Sequence, residues 1–173
     1  MRKIVWTFGL IAGAVMSVML ALTMPFQDQM AGNTGMIIGY TSMILASLMI
    51  YFGVRQYRDT VGNGAIDFWP AAKVGLLISA VAVVCYVLTW QVIYYGFYPD
   101  FAEKFAETAV ERLRAKGASE AELAAEAKRM AEFAAMYKNP LVNIAFTALE
   151  PLPVVLLFSG VSAAMLRRKP PAA

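Results

Sequence analysis

Four long apolar runs, separated by shorter polar segments, set the pattern of this chain. They are Ile4–Met24, Met36–Val54, Val74–Tyr95 and Leu141–Leu166. A helix rises about 1.5 Å per residue and the hydrocarbon layer of a bilayer is about 30 Å thick, so about 20 apolar residues span it. The pattern therefore predicts four transmembrane helices.

The segment at positions 99–138, between the third and fourth runs, differs because it is rich in Ala, Glu, Lys and Arg. Apolar residues recur along it at helical spacing. They are Phe101, Phe105, Ala109 and Leu113 in the first half, and Leu123, Ala127, Met130, Phe133 and Tyr137 in the second. Gly117 ends the first predicted helix, and Ser119 with Glu122 forms a capping box that starts the second.

These elements predict an all-α integral membrane protein with an extracytoplasmic helical hairpin between the third and fourth spans. We expect residues 1–98 and 139–173 to form the four-helix transmembrane domain, and residues 99–138 to form the hairpin. The first run follows Arg2 and Lys3, as the apolar core of a signal peptide would. At about 21 residues it exceeds the usual core of about 7–15, so we expect a retained span.

Small residues recur at every fourth position of the first run, at Gly9, Gly13, Ser17 and Ala21. This spacing lets a neighbouring helix approach the backbone closely. We expect this face to pack against helices of the same chain, with homodimerisation as the alternative.

The composition supports the membrane class and narrows the chemistry. The chain is 60% hydrophobic and 16% charged, whereas soluble domains are about half apolar and a quarter charged. A net charge of +3 is too small to indicate a nucleic-acid partner. Histidine is absent and Cys85 is the single cysteine, which removes the commonest general base and any intrachain disulfide or paired-cysteine metal site. We therefore expect no enzyme activity, no metal and no cofactor.

The basic residues are distributed unevenly along the chain. Those that flank the apolar runs are Arg2, Lys3, Arg55, Arg58, Lys73, Arg167, Arg168 and Lys169, while the loop at 25–35 has none. Because positive residues collect on the cytoplasmic side, we expect both termini and the 55–73 loop in the cytoplasm. The hairpin then lies outside.

Glu150 is the only carboxylate within an apolar run, and Pro151 and Pro153 follow it. An acid at mid-bilayer costs about 2.5 kcal/mol or more, and each proline removes a helical hydrogen bond. Counting about 1.5 Å per residue from the cytoplasmic ends places other polar side chains in the same outer-leaflet layer. We take these as ligand-binding candidates beside Glu150: Gln91, Tyr94, Tyr40, Thr147 and Asn143. The hypothesis is a polar pocket for a proton, a cation or a small polar or lipid-like ligand.

A simpler interpretation stays open for the same stretch. Proline is well tolerated in the first turn of a helix, so Pro151 could begin a short final span. Glu150 would then sit at a favourable helix N-terminus near water, and the preceding Leu141–Leu149 would be an interfacial helix. A row of acids at Glu103, Glu107 and Glu111 could bind cations or a basic partner, but we expect it to be a solvated helix face.

Several motifs together resemble a bacterial membrane family catalogued as domain of unknown function 4199. They are Tyr51–Asp59, Gly64–Phe68, Lys73–Gly75, Tyr98–Phe101, Glu150–Pro153 and Ala163–Lys169. The resemblance covers nearly the whole chain and implies a four-span protein of the bacterial inner membrane. It implies no activity.

Two functions fit these observations. The first is a binding protein, permease-like in its layout, whose outer-leaflet pocket around Glu150 takes a small ligand, a lipid or a cation. The second is a non-catalytic accessory or scaffold subunit of a membrane complex or homo-oligomer, which docks through its small-residue faces and the hairpin.

Overall fold

The computed structural model describes residues 1–29 and 34–168, and the described chain is helical. Its elements are α1 (Arg2–Thr23), a 3-10 helix (Met24–Gln29), α2 (Thr34–Thr60), α3 (Phe68–Phe97), α4 (Phe101–Ala115), α5 (Glu120–Tyr137), α6 (Pro140–Leu149) and α7 (Leu152–Leu166). Four stretches are long and apolar enough to cross a membrane, and they are Arg2–Phe26, Thr34–Thr60, Phe68–Phe97 and Pro140–Leu166. The described residues contain no β-strand. The predicted all-α class with four candidate spans is confirmed.

The chain divides into two compact units. Unit 1 comprises Met1–Trp90 and Ala148–Ala173, and unit 2 comprises Gln91–Thr147. These units group residues by packing, whereas the predicted division at 98 and 139 follows the expected membrane surface. The division into a transmembrane domain and a hairpin therefore stays a prediction.

In unit 1 the helices meet through small residues. Helix α1 packs against α2, and α2 packs against α7. A Cβ atom added at Gly9 would lie 2.6 Å from Cβ of Val81, so α1 and α3 approach closely there. Helices α3 and α7 are equally close, because Cα of Ser159 lies 3.2 Å from a Cβ placed at Gly75. The predicted small-residue face of α1 thus packs against α3 of the same chain.

The exposed surface of unit 1 carries the large apolar side chains. Leu22 is 60% exposed, Leu157 63% and Met165 67%. The fully buried positions include many small residues, among them Ala12, Ala46, Ala82, Ala163, Ser47 and Ser159. Lipid tails are as apolar as leucine, so helices in a bilayer associate by close packing of small residues rather than by burying large ones. The distribution is the one that a lipid-facing bundle requires.

Helix ends differ from the predicted ones where polar residues continue a helix. Helix α2 extends to Thr60, past the predicted end at Val54. The polar residues Arg55 to Thr60 therefore continue the helix after the apolar run has ended. Helix α3 begins at Phe68 rather than Val74. Pro70 lies in its first turn, where the missing N–H removes no helical bond.

The loop between α2 and α3 is fixed by a turn and by a backbone bridge. Asn63 and Gly64 have positive φ angles of 50° and 85°, which asparagine and glycine adopt in tight turns. Ile66 and Arg168 then exchange two backbone hydrogen bonds of 2.9 Å each. No sequence pattern indicated this bridge, which ties the loop to the chain just after α7.

In unit 2, helices α4 and α5 pack through the predicted aromatic stripes. Phe105 and Phe133 have ring centroids 5.9 Å apart, and Phe101 and Tyr137 lie 6.4 Å apart. The Ser119 side chain accepts from the backbone N–H of Glu122 at 3.4 Å, and Glu122 Oε2 accepts from the backbone N–H of Ser119 at 2.8 Å. The predicted capping box is therefore confirmed.

The close approach of α1 and α3 leads to a stability prediction. A Cβ at Gly13 would lie 2.6 Å from Cβ of Cys85, whereas a Cβ at Gly39 in α2 would meet nothing within 4 Å. We expect Gly13→Ala to lower the free energy of unfolding by about 1–3 kcal/mol through overpacking. Gly39→Ala is the matched control, and it should leave stability unchanged or raise it by up to about 1 kcal/mol. Unfolding of both variants in the same detergent checks this, and a Gly13→Ala protein as stable as the control would contradict it.

Candidate functional site

The fourth candidate span is broken at Glu150 and Pro151. Helix α6 ends at Leu149 and α7 begins at Leu152, with Pro151 at its N-terminal cap. These boundaries are those of the simpler interpretation, in which Pro151 begins a short final helix. Helix α7 has 15 residues, or about 22 Å at about 1.5 Å per residue, which is shorter than a hydrocarbon layer of about 30 Å. If Arg167 lies at one membrane surface, Glu150 therefore lies within the apolar layer.

Glu150 is held by a tyrosine of the bundle. Tyr86 Oη donates a hydrogen bond of 2.8 Å to Glu150 Oε2. Tyr86 is 6% exposed and packs in a cluster that includes Ala12 and Met43. Glu150 is itself exposed at the surface of unit 1. One carboxylate oxygen is thus anchored to a buried donor, while the residue remains open to its surroundings.

Further polar groups lie beside Tyr86 where α1 meets α3. Thr89 Oγ1, one turn after Tyr86, lies 2.8 Å from Ser17 Oγ and 2.9 Å from the carbonyl oxygen of Cys85. Threonine and serine satisfy their hydroxyls in this way when water is absent. The polar layer of unit 1 therefore comprises Ser17, Thr89, Tyr86 and Glu150.

Sequence reasoning missed Tyr86 because of how it measured depth. It placed Glu150 about 25 Å from Arg167 by assuming an unbroken helix. Tyr86 follows Lys73 by about 20 Å along α3, and it was not among the candidates. The two counts differ by about 5 Å, and the length of a tyrosine side chain can cover that difference. A count of residues along a helix does not include the length of the side chain.

Of the six predicted ligand-binding residues, three lie together in unit 2. Gln91 Nε2 donates to Asn143 Oδ1 at 2.7 Å, and Thr147 Oγ1 donates to the Asn143 carbonyl oxygen at 2.8 Å. Asn143 is fully buried, and its Nδ2 has no hydrogen-bond partner among the described residues. These side chains form an amide cluster of their own.

The other predicted residues lie elsewhere. Tyr94 belongs to unit 2, and its ring centroid is 5.6 Å from that of Tyr137. Tyr40 and Glu150 belong to unit 1, where Tyr40 is 40% exposed. The partner of Glu150 in that unit is Tyr86, which was not among the candidates. The single pocket predicted to join all six residues stays a prediction.

A separate groove in unit 2 collects several charged and aromatic side chains. It has a volume of about 430 Å³, is open to the outside, and is lined by Tyr94, Tyr95, Pro99, Asp100, Glu103 and Lys138. Lys138 Nζ lies 2.7 Å from Glu103 Oε1, and Lys104 Nζ lies 2.9 Å from Asp100 Oδ2. Of the acids that were expected to form a solvated helix face, Glu103 is thus engaged in an ion pair.

The ion pairs shift the pKa values of the side chains that form them. The hydrogen bond from Lys138 holds the pKa of Glu103 below its ordinary value, and Glu103 in turn raises the pKa of Lys138. The hydrogen bond from Lys104 likewise lowers the pKa of Asp100. Asp100, Glu103 and Lys138 are therefore charged near neutral pH. Residues 1–29 and 34–168 contain no cluster of three or more His, Cys, Asp or Glu side chains placed to hold a metal ion.

Comparison with known proteins gives one match. A family model described as "Protein of unknown function (DUF4199)" matches residues 7–168, which is nearly the whole chain. No curated protein and no solved structure matches the chain.

The Glu103–Lys138 pair leads to a pH prediction. A carboxylate with a lowered folded pKa contributes stability above its unfolded pKa and loses it as pH falls through the folded value. We expect the wild-type protein to have a higher thermal midpoint than Lys138→Gln at pH 7. The difference should shrink as the pH falls through the lowered pKa of Glu103, because the protonated acid no longer pairs with Lys138. Lys128→Gln on α5 is the control and should show no such pH-dependent difference. A wild-type advantage that is the same at pH 7 and pH 3 would contradict the assignment.

Proposed function

The chain belongs to the family described as protein of unknown function (DUF4199), and since that description names no activity, we propose a function from the geometry of Glu150. The proposal is a non-catalytic, polytopic membrane protein that binds a ligand through this carboxylate. The ligand is a small cation or a polar or lipid-like molecule that carries a positive charge. The observation that carries the proposal is the hydrogen bond from Tyr86 to Glu150 at a helix break.

The energetics of an acid in an apolar span favour binding. A carboxylate at mid-bilayer costs about 2.5 kcal/mol or more, so such residues are rare unless a partner or a function retains them. A carboxylate has about four acceptor positions and Tyr86 supplies one donor. A cation or ammonium group at the remaining positions would offset the cost of placing the charge there.

The helix break supports the same proposal. Discontinuous helices line the binding sites of many transporters, since a break places polar backbone and side-chain groups at membrane depth. Here the break carries the only acid of the four apolar runs. The arrangement therefore has the two elements, a charge and an interrupted helix, that such a site requires.

The surroundings of Glu150 indicate the direction of approach. Leu149, next to it, is 56% exposed, and Leu156 in α7 is 50% exposed. A ligand that reaches the carboxylate across these side chains meets an apolar surface first. We therefore propose entry from the lipid, which suits an amphiphilic cation better than a fully hydrated ion.

The proposal includes a topology in the bacterial inner membrane. Both termini and the 55–73 loop lie in the cytoplasm, and the α4–α5 segment forms an extracytoplasmic hairpin. The support is the concentration of basic residues around the termini and this loop, as the positive-inside rule requires.

Carbodiimide labelling tests the binding proposal. A hydrophobic carbodiimide in the bilayer should modify Glu150 of the full-length protein, and Glu150→Gln should abolish that label. We expect N,N-dimethyldodecylamine, a single-chain ammonium without a primary amine that the activated acid could acylate, to reduce the labelling several-fold by occupying the carboxylate, whereas uncharged dodecanol should not. Sodium ions serve as the inorganic probe. Mass spectrometry of the labelled peptide provides the measurement.

Two further variants sharpen that experiment. Tyr86→Phe removes the hydroxyl that anchors the acid and should weaken protection by N,N-dimethyldodecylamine, while Tyr51→Phe in α2 is the matched control and should not. If neither N,N-dimethyldodecylamine nor sodium protects Glu150, the binding function is wrong. In that case deletion of residues 100–138 would test the accessory or scaffold role through loss of a co-purifying partner.

Cysteine accessibility tests the topology. We expect Ala118→Cys, between α4 and α5, to react with a membrane-impermeant maleimide added outside intact cells, because the proposed hairpin is extracytoplasmic. Thr60→Cys at the end of α2 should react only after the cells are opened. The native Cys85 lies within α3 and serves as the unreactive background. The reverse pattern of labelling would overturn the orientation.

A further inference from the structure

The groove of unit 2 lies where the chain leaves and re-enters the apolar layer. Its two carboxylates follow shortly after Phe97, the last residue of α3, and Lys138 precedes Pro140, the first residue of α6. Both helices belong to stretches long and apolar enough to cross a membrane. Tyrosines at such ends sit at the level of lipid headgroups. The groove is therefore at headgroup depth by its position in the chain.

Two tyrosines form one side of the groove. The rings of Tyr94 and Tyr95 are nearly perpendicular, with an interplanar angle of 85° and centroids 4.9 Å apart. Tyr94 is 2% exposed and Tyr95 is 51% exposed, so the ring that is open to an ammonium group for cation–π attraction is that of Tyr95. An ammonium placed there would face Asp100 and Glu103, which line the same groove.

The charged side chains of the groove have capacity for a ligand of mixed charge. Lys138 engages Glu103 Oε1, and Glu103 Oε2 has no hydrogen-bond partner among the described residues. A carboxylate accepts about four hydrogen bonds, and a lysine ammonium donates three. The Lys138 side chain is 63% exposed. It can therefore keep its carboxylate partner and still donate to an incoming anion.

We infer that this groove binds a phosphoethanolamine group, with its ammonium against the carboxylates and the ring of Tyr95 and its phosphate at Lys138. The alternation of negative and positive side chains matches the two charges of this zwitterion. A primary ammonium also supplies the N–H donors that carboxylates need, and these are missing from choline. Glycerol headgroups carry no cation. The same chemistry occurs in an ethanolamine phospholipid and in free phosphoethanolamine, and the experiment separates the two.

The inference is independent of the function proposed for Glu150, because all of the residues involved belong to unit 2. Either binding site can fail without the other. Glu150→Gln should therefore leave phosphoethanolamine binding unchanged, and this variant belongs in the experiment.

Native mass spectrometry of the full chain in detergent tests the inference, with dioleoylphosphatidylethanolamine, the matching choline and glycerol lipids, and free phosphoethanolamine as probes. We expect the ethanolamine lipid to bind most tightly. Glu103→Gln keeps the shape of the side chain but removes its charge, and it should raise the dissociation constant about tenfold through loss of a charge-assisted contact. Lys138→Gln should do the same. The matched controls are Glu107→Gln on α4 and Lys128→Gln on α5, and both should bind as wild type does.

The outcomes are distinct. Tight binding of the lipid alone identifies a membrane lipid as the ligand, and comparable binding of free phosphoethanolamine identifies a soluble ligand with the same group. Equal affinity for ethanolamine, choline and glycerol lipids overturns the inference. So does unchanged affinity in Glu103→Gln and Lys138→Gln. The circular dichroism of each variant establishes that the helices are retained.

Discussion

The hydrogen bond between Tyr86 and Glu150 is the contact on which the rest of this structure depends. An acid in an apolar span must meet a donor or a counter-charge, because lipid offers neither. The donor is a buried tyrosine in the packed core of unit 1. The acid lies at the interruption between α6 and α7. The helix break, the buried donor and the exposed carboxylate therefore form one arrangement.

Close packing around Tyr86 is what holds this donor in place. The approach of α1 to α3 at Gly9 and Gly13 leaves little room for movement of α3. Helices α3 and α7 are also joined by the hydroxyls of Ser79 and Ser159, which lie 3.1 Å apart. In a bilayer such small-residue contacts replace the large apolar core of a soluble protein. A rigid scaffold in turn keeps the tyrosine hydroxyl directed at the carboxylate.

Much of the fold follows from the sequence because apolar run length and helix caps are local properties. The four spans, the small-residue face of α1 and the Ser119–Glu122 capping box could all be predicted. Helix ends could not, since polar residues such as those after Val54 continue a helix once it leaves the apolar run. The partner of Glu150 also escaped prediction. A residue count does not give the direction or the reach of a side chain, and a tyrosine in an apolar helix has no distinguishing pattern.

The same reason applies to the polar residues that were predicted to share one layer of the membrane. Counting residues along separate helices gives the depth of each but not the direction in which it faces. Gln91, Asn143 and Thr147 proved to be bonded among themselves. The groove formed with Lys138 needed two segments about 40 residues apart in the chain, and only the pairing of α4 with α5 brings those segments together.

A double-mutant cycle between Tyr86 and Glu150 tests the central claim most directly. The free energy of unfolding in detergent is measured for the wild type, Tyr86→Phe, Glu150→Gln and the double variant. A charge-assisted hydrogen bond that organises the site predicts a coupling energy of at least about 1 kcal/mol. Effects that add to within about 0.5 kcal/mol would contradict the account, because the tyrosine and the acid would then be neighbours without a stabilising interaction.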